Sequence, residues 1–335
     1  MDDKNVIILA IETSCDETSA AVIKDGELLS NEVFSQINIH TNYGGVVPEV
    51  ASRNHLVKLP QVIDEAVRKA KISLNDLSAV AVTKGPGLIG ALLVGVSYAK
   101  SLAYALNKKI IGVNHLMGHI SANFLAGAQP PFICLIASGG HTLIVKVISH
   151  TQYQVLGSTR DDAAGEAFDK VARVIGLGYP GGPKLDKLAD EGNENAYEFT
   201  RAMIKEDNYD FSFSGLKSAA LNHINKAKMK NEAINKADLC ASFRKCVCDI
   251  LIMKTMRAAK DCNINSIAIC GGVTANSLLR KNFKAECDKN AIMLTMPDAF
   301  LCTDNAGMIA SCAYYKYLNN EFEDIYMNAS PSQRL

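Results

Sequence analysis

The amino-acid sequence predicts an α/β protein built from two similar halves, with a ligand-binding cleft between them. Strand-like and helix-like apolar patterns alternate along the chain, which is typical of layered α/β domains. A strand, a polar turn and a second strand open the chain, and the same arrangement returns after the break at 129–131. The length of 335 residues also suits two domains better than one.

The first half begins with strands and continues with alternating helices and strands. Val6 to Ile11 is a continuous apolar run that predicts a buried strand, and two further strands are expected over 19–23 and 27–33. Apolar residues recur at helical spacing over 48–70, where Pro60 should start or kink the helix. The other elements predicted here are a strand over 79–83, a helix over 88–106 and a strand over 110–113.

The second half repeats the opening, with strands predicted over 132–136 and 143–148. The residues at 328–335 are expected to be mobile. The other elements predicted in this half are helices over 163–175, 215–227 and 237–259, a strand over 266–269, a helix over 275–287, a strand over 292–296 and a last helix from about 304 to 318.

Charge and cysteine content restrict the class of protein. The 35 basic and 35 acidic residues balance, so no overall field attracts the chain to nucleic acid or membranes, and any RNA contact must come from a local patch. Ten cysteines are scattered without a CxxC pair, which fits a reduced, cytosolic compartment. The N-terminal apolar run is too short for a signal peptide or a membrane span. We therefore expect a soluble, cytoplasmic protein.

The strongest metal-binding pattern is a pair of histidines four residues apart. His115 and His119 follow the strand at 110–113, and this spacing puts both imidazoles on one helix face. The alternative is a pair of ordinary surface histidines. Residue 116 is Leu, so the glutamate of an HExxH protease motif is missing. Asp304 stands where the last helix begins, as a third ligand or as a simple N-cap.

Three glycine-rich turns follow predicted strands, where backbone N–H groups can meet a phosphate. The first lacks the GKS or GKT ending of a P-loop, and the second also fits a plain hairpin. Together they favour a nucleotide site over chance. The turns are Lys84 to Gly90, Ser138 to Thr142 and Cys270 to Asn276.

Ten segments resemble, in order, the signatures of the bacterial tRNA N6-adenosine threonylcarbamoyltransferase family. They extend over about residues 6 to 310, so the set is far more specific than any one segment. The segments are IETSCDET (11–18), GGVVPEVASRNH (44–55), KGPGLIGALLVG (84–95), NHLMGH (114–119), ASGGHT (137–142), DDAAGEAFDK (161–170), GYPGGP (178–183), FSFSGLK (211–217), CGGVTAN (270–276) and TDNAGM (303–308).

The resemblance implies a fold and an activity. The fold is a pair of duplicated actin-like ATPase lobes (ASKHA, ribonuclease H-like) with an interlobe cleft. An N-terminal lobe is expected over 1–128, a C-terminal lobe over 129–303, and a final helix plus tail over 304–335 that returns to the N-terminal lobe. The activity is that of an acyltransferase. It moves the threonylcarbamoyl group from threonylcarbamoyl-AMP to N6 of the adenosine 3′ of the anticodon, in tRNAs reading ANN codons, and releases AMP.

The resemblance also implies site residues. His115, His119 and Asp304 are expected to hold one divalent metal ion per chain, with Fe2+ as the expected ion and Zn2+ or Mn2+ as alternatives. Glu12 is a candidate proton acceptor, with a structural or water-ordering role as the alternative. The residues expected to line the adenylate, or an ATP- or ADP-like nucleotide, are Ile136, Ala137, Ser138, Gly139, Gly140, Asp169, Gly182, Asp186 and Asn276.

Relatives in bacteria work with a paralogous ATPase-fold partner (TsaB-like) and a small P-loop ATPase (TsaE-like). We therefore expect binding of tRNA to be shared with these proteins. One alternative function is a small-molecule kinase of the same fold, which would need a catalytic aspartate and an acceptor pocket. Another is a scaffolding protein that kept the nucleotide cleft and lost catalysis.

Overall fold

A computed structural model describes residues 5–335, and the four preceding residues, which the predicted N-terminal lobe includes, lie outside the described residues. The chain divides by its internal contacts into two compact units. Unit 1 contains the described residues up to Gln129, together with Ser149–Gln152 and Pro297–Leu335. Unit 2 contains Pro130–Ile148 and Tyr153–Met296. The domain limits predicted at 128 and 303 stay a prediction.

Each unit contains a five-stranded sheet, and the two sheets have the same order of strands. The order is β3-β2-β1-β4-β5 in unit 1 and, read from the corresponding edge, β8-β7-β6-β9-β10 in unit 2. In both sheets, the first three strands of this order pair antiparallel, and the last two join in parallel. The predicted duplication is therefore confirmed. The strands are β1 (Ile7–Glu12), β2 (Glu17–Lys24), β3 (Glu27–Ser35), β4 (Ala79–Gly85), β5 (Lys109–Asn114), β6 (Phe132–Ala137), β7 (Thr142–Val147), β8 (Tyr153–Ser158), β9 (Ser266–Cys270) and β10 (Met293–Thr295).

Helices pack on these sheets. Those of unit 1 are α1 (Ile37–Thr41), α2 (Pro48–Ala70), α3 (Ile89–Ala105), α4 (His115–Leu125), α10 (Ala299–Cys302) and α11 (Ala306–Leu318). Those of unit 2 are α5 (Ala164–Val174), α6 (Gly181–Ala189), α7 (Ser214–Met229), α8 (Lys236–Asp261) and α9 (Ser277–Lys289).

The core of unit 1 lies on both faces of its sheet. Because side chains alternate along a strand, Ile8 and Ala10 of β1 pack in one apolar cluster with α11. Leu9 and Ile11 pack in a second cluster with α2 and α3. A strand buried on both faces appears in the sequence as an uninterrupted apolar run, which is why Val6 to Ile11 predicts β1 so clearly.

The helix predicted over 48–70 has the same bounds in the structure. It does not start at Pro60, which lies inside it. Pro60 is exposed, so water can bond the carbonyl group that loses its N–H partner. Two elements were not predicted from the sequence. They are β8, which has a single buried residue, and α6, whose first residues resemble a rigid turn.

Candidate functional site

The two histidines and Asp304 converge in unit 1. Asn114, the last residue of β5, caps α4, because its side-chain oxygen accepts the N–H groups of Leu116 and Met117. The helix therefore starts at His115. The Nε2 atom of His115 lies 3.5 Å from Asp304 Oδ1. His119 Nε2 lies 3.1 Å from the same oxygen. The three ligand atoms lie within 4.8 Å of one another.

This arrangement fits a shared metal ion. Bonds of about 2.0–2.1 Å from nitrogen or oxygen to a metal put neighbouring ligand atoms about 3.0–3.4 Å apart. Both ring nitrogens of His119 are buried and have no hydrogen-bond partner within residues 5–335. A buried nitrogen without a partner costs about 1–3 kcal/mol. Coordination would satisfy Nε2, which faces the carboxylate at 3.1 Å without hydrogen-bond geometry.

Glu12 contacts His115 on the side of the imidazole that faces away from Asp304. Its Oε2 atom lies 3.1 Å from His115 Nδ1 and accepts a 2.7 Å hydrogen bond from the Thr83 hydroxyl. Its Oε1 atom accepts the N–H of Ser14 at 2.5 Å. In a neutral imidazole whose Nδ1–H donates to Glu12, Nε2 carries the lone pair, so Nε2 is the nitrogen available to a metal ion. Since the Glu12 side chain is fully buried, the geometry favours a positioning role.

The charges of this centre are coupled. Burial opposes ionisation of Asp304, but the facing imidazoles of His115 and His119 hold the pKa of its carboxyl well below its usual range. Burial also opposes the charged form of His115, yet the carboxylates of Asp304 and Glu12 raise the pKa of this imidazole well above its usual value. The pKa of Glu12 is lowered by His115 in spite of its burial. A negative pocket of this kind suits a cation.

The first glycine-rich turn uses two of its N–H groups for contacts inside unit 1. The N–H of Gly87 donates to the Pro331 carbonyl at 3.2 Å, and that of Leu88 donates to the Ser14 carbonyl at 2.8 Å. Gly85 has φ +154°, and a Cβ atom there would lie 1.9 Å from the Ser330 carbonyl oxygen. These glycines allow close backbone contacts inside unit 1, and the phosphate role of this turn stays a prediction.

Residues 327–335, the C-terminal strap, cover this turn. The Ser330 N–H donates to the Lys84 carbonyl at 2.7 Å. The Asn114 side chain donates to the Arg334 carbonyl at 3.1 Å. The prediction of a mobile tail was therefore wrong, because its signal was only a polar composition, whereas the strap is held by backbone groups of distant strands. The strap thus contacts Asn114, the residue that caps α4.

The other two glycine-rich turns lie side by side in unit 2. They follow β6 and β9, which are parallel neighbours, so both turns lie at one edge of the sheet. Gly271 has φ +92°, and a Cβ atom there would lie 2.5 Å from the Ala137 carbonyl oxygen. In contrast, a Cβ atom at four glycines of the predicted adenylate region would meet nothing within 4 Å, so their backbones border open space. These are Gly139, Gly140, Gly182 and Gly272.

The predicted adenylate residues form two hydrogen-bonded groups around this edge. Asp169 Oδ1 accepts the N–H groups of Gly181 at 2.9 Å and Gly182 at 3.1 Å. Burial raises the pKa of Asp169 against the effect of these bonds. Asp186 Oδ1 accepts a 2.7 Å bond from the Asn276 side chain. The predicted residues whose side chains are fully buried in β6 are Ile136 and Ala137.

Sequence reasoning missed Arg244. This guanidinium lies 2.7 Å from the carboxylates of both Asp186 and Asp190, and only 6% of the residue is exposed. It fixes the side chain that also holds Asn276. A signal existed, because an arginine within the apolar helical pattern of 237–259 needs carboxylate partners once it is buried.

The fold and the site define a class: a two-lobed protein of the actin-like ATPase fold with a candidate metal centre. Solved structures share the fold. Full-length HypF in its phosphate- and nucleotide-bound form matches with a TM-score of 0.63 and 16% identity, over 93% of this chain and 55% of that chain. Component A of (R)-2-hydroxyglutaryl-CoA dehydratase from Acidaminococcus fermentans matches with a TM-score of 0.54 and 16% identity, over 93% of this chain and 99% of that chain.

The family follows from closer relatives. The TsaD family model, described as tRNA N6-adenosine threonylcarbamoyltransferase, matches residues 27–311. A protein of that name from Clostridium perfringens (strain SM101) is 56% identical over 332 residues, 98% of each chain. Another from Clostridium novyi is 56% identical over 336 residues, 99% of this chain and 98% of the relative. The chain belongs to the tRNA N6-adenosine threonylcarbamoyltransferase family and is a transferase, and the kinase alternative finds no support.

No helix among the described residues is both long enough and apolar enough to cross a membrane.

Proposed function

We propose that this chain moves the threonylcarbamoyl group from threonylcarbamoyl-AMP to N6 of the adenosine 3′ of the anticodon, in tRNAs reading ANN codons. The observation that carries the proposal is the convergence of His115, His119 and Asp304 within 4.8 Å in a member of this family. Reaction with tRNA also supports a cytoplasmic location.

The three converging residues would hold one divalent ion, with Fe2+ expected and Zn2+ or Mn2+ as alternatives. Two imidazole nitrogens and one carboxylate oxygen leave coordination positions open for substrate oxygens. When bound, the ion would polarise the carbonyl of the donor and stabilise negative charge on the leaving phosphate. Glu12 would keep the Nδ1–H tautomer of His115, so that Nε2 stays available as a ligand.

The adenylate would be held in unit 2. The open backbones of Gly139, Gly140 and Gly182 allow a phosphate or ribose to approach closely. The N–H groups at the start of α6 are organised by Asp169, and the start of α9 is organised by Asp186 and Asn276. Carboxylates at these positions are suitable acceptors for ribose hydroxyls.

The transfer itself would depend mainly on positioning. The lone pair of N6 attacks the carbonyl carbon, the bond from that carbon to the phosphate oxygen breaks, and AMP leaves with the electron pair. The proton that N6 loses passes to solvent water, which completes the balance. Because an exocyclic amine is a weak nucleophile, orientation of the amine against the carbonyl supplies more of the rate than a strong protein base.

A transfer assay tests the proposal. The chain is incubated with unmodified tRNA, labelled threonine, bicarbonate, ATP and the enzyme that makes the adenylate, with and without the TsaB-like and TsaE-like partners that we propose. We expect label in tRNA with the partners present, and its loss in the His115→Ala, His119→Ala double variant. Phosphorylation of a small molecule with no label in tRNA would contradict the proposal. Unchanged metal content in the double variant would contradict the ligand assignment.

A further inference from the structure

A basic segment in unit 2 stands out in a chain of zero net charge. Residues 217–236 contain five lysines and one glutamate, with no arginine or aspartate. Lys217 forms an ion pair with Asp162. The other four lysines are exposed and have no ion pair within residues 5–335. These four, the α7 lysine patch, are Lys226, Lys228, Lys230 and Lys236.

Helix electrostatics explain only part of the patch. Lys226 and Lys228 lie in the last turn of α7, where a positive charge is favoured by about 0.3–1 kcal/mol. Lys236 is the first residue of α8, where the helix dipole disfavours a positive charge. Like charges gathered at one place also repel one another. Met229, among them, is 85% exposed. Lys230, the C-cap residue of α7, is favoured in the same way as Lys226 and Lys228, so the helix dipole leaves Lys236 and the gathering of four like charges unexplained.

The patch is connected to the open glycine turns through α7. The helix begins where Asp161 accepts the N–H groups of Phe213 and Ser214. Four residues after Asp161, the Gly165 N–H donates to the Ser138 carbonyl at 3.2 Å. The start of α7 thus lies near the turn after β6.

The length of α7 sets the reach of the patch. Lys226 and Lys230 follow Ser214 by 12 and 16 residues, which corresponds to about 18–24 Å of helix. Phosphates on one strand of duplex DNA are spaced about 3.4 Å apart along its axis, and the A-form duplex of RNA spaces them more closely. The patch therefore lies at least about five phosphates away from the beginning of the helix.

We propose that the α7 lysine patch binds the phosphate backbone of the RNA stem next to the loop that carries the acceptor adenosine. This inference rests on the proposed function. Flexible lysines without carboxylate partners suit phosphates. Contacts to phosphates do not distinguish one base from another, so binding would be independent of the stem sequence. It supplies the local positive charge that a neutral chain needs to bind tRNA.

A triple substitution tests the patch. Lys226→Gln, Lys228→Gln and Lys230→Gln are combined, since glutamine is also a good helix former. The matched control is Lys281→Gln, Lys284→Gln and Lys289→Gln, which removes the same charge from exposed positions on α9. Binding of an unmodified tRNA transcript to the full chain, with its partner proteins, is measured by filter retention at several salt concentrations.

We expect the patch variant to bind tRNA at least about ten-fold more weakly, with a salt slope smaller by about 2 to 3. The control should stay within about two-fold of the unsubstituted chain. Retained affinity and slope in the patch variant, or an equal loss in the control, overturns the proposal. If the triple variant does not fold, Lys228→Gln and Lys230→Gln alone should each lower the slope by about 0.7–0.9.

The transfer assay separates the two proposals. If the unsubstituted chain puts no label into tRNA, the proposed function fails. If that chain transfers normally and the patch variant keeps the same KM for tRNA, only the patch fails. The expected result is a raised KM for tRNA with binding of the adenylate unchanged.

Discussion

Single residues around His115 and Asp304 act on these side chains through their charge and through the imidazole tautomer that they favour. Glu12 ends a buried strand in the sequence, and nothing local shows that its carboxylate reaches His115. The contact joins residues 103 positions apart, so it depends on the pairing of β1 with β4 and of β4 with β5. The closeness of His115 and His119 was predictable, because four-residue spacing on a helix is a local property.

Replacing Glu12 with glutamine should weaken metal binding. The variant keeps the shape but loses the charge that supports the His115 Nδ1–H group, so we expect about 10–100-fold lower affinity for Zn2+ in a chelator competition. Glu27→Gln is the control, because Glu27 is an exposed carboxylate at the start of β3. Equal affinities in Glu12→Gln and the unsubstituted chain would contradict the positioning role.

Asp161 provides a test by pH. Burial would raise the pKa of its carboxyl, but hydrogen bonds from Ser212, Ser214 and Phe213 hold that pKa below its usual value. Because the pKa is lower in the folded chain, the carboxylate stabilises the fold fully above the unfolded-state pKa of about 3.9, and this contribution disappears as pH falls through the lower folded-state value.

Asp161→Asn should therefore lower the free energy of unfolding at pH 7 by about 1 kcal/mol, a modest figure because the residue is exposed to solvent. The difference from the unsubstituted chain should narrow towards pH 3, as followed by urea denaturation. Asp288→Asn, on the exposed side of α9, is the control. A difference that is constant over this range would argue against the pKa assignment.

Among the elements, the C-terminal strap shows what local sequence cannot reveal. Its polar residues have no period of their own, and its bonds go to Lys84, Gly87 and Asn114. The helix α6 is similar, since Gly181-Gly182-Pro183 resembles a turn until Asp169 accepts two of its N–H groups. Long amphipathic or apolar elements such as α3 and α8 were predictable because their own side chains specify them.

Gly85→Ala should displace the strap. The new Cβ atom would meet the Ser330 carbonyl at 1.9 Å, and Gly85 also has a positive φ. Gly127→Ala is the matched control, with φ +88° and nothing within 4 Å. We expect Gly127→Ala to lower the free energy of unfolding by about 1–2 kcal/mol, from backbone strain alone. Gly85→Ala should lower it clearly more. Thermal unfolding of both variants measures the difference, and equal losses would show that the strap contact adds nothing.

At the scale of the whole molecule, duplication was the most predictable property. Each half begins with the same strand-turn-strand pattern, and the sheets share one strand order. The assignment of Asp304 was less secure from residues alone, since a carboxylate at a helix start also reads as a cap. Asn305 is in fact the residue that caps α11, through the Met308 N–H. That leaves the Asp304 side chain directed at the histidines.

Metal binding should protect only part of the molecule. All three ligands belong to unit 1, so an added ion should raise the free energy of local opening there. In hydrogen exchange with and without Zn2+, we expect slower exchange in α4 and at the start of α11, with α7 unchanged. Uniform slowing across both units would contradict this expectation.

The interrupted path of unit 1 has a consequence for biosynthesis. Between Gln129 and Pro297 the ribosome must make the whole of unit 2, which takes roughly 8–34 s at about 5–20 residues per second. Until then, the face of the first sheet that α11 covers has α4 but lacks α11. A nascent chain would thus wait with a partly uncovered apolar surface, and the site that we propose for the ion would lack Asp304 until translation is nearly finished.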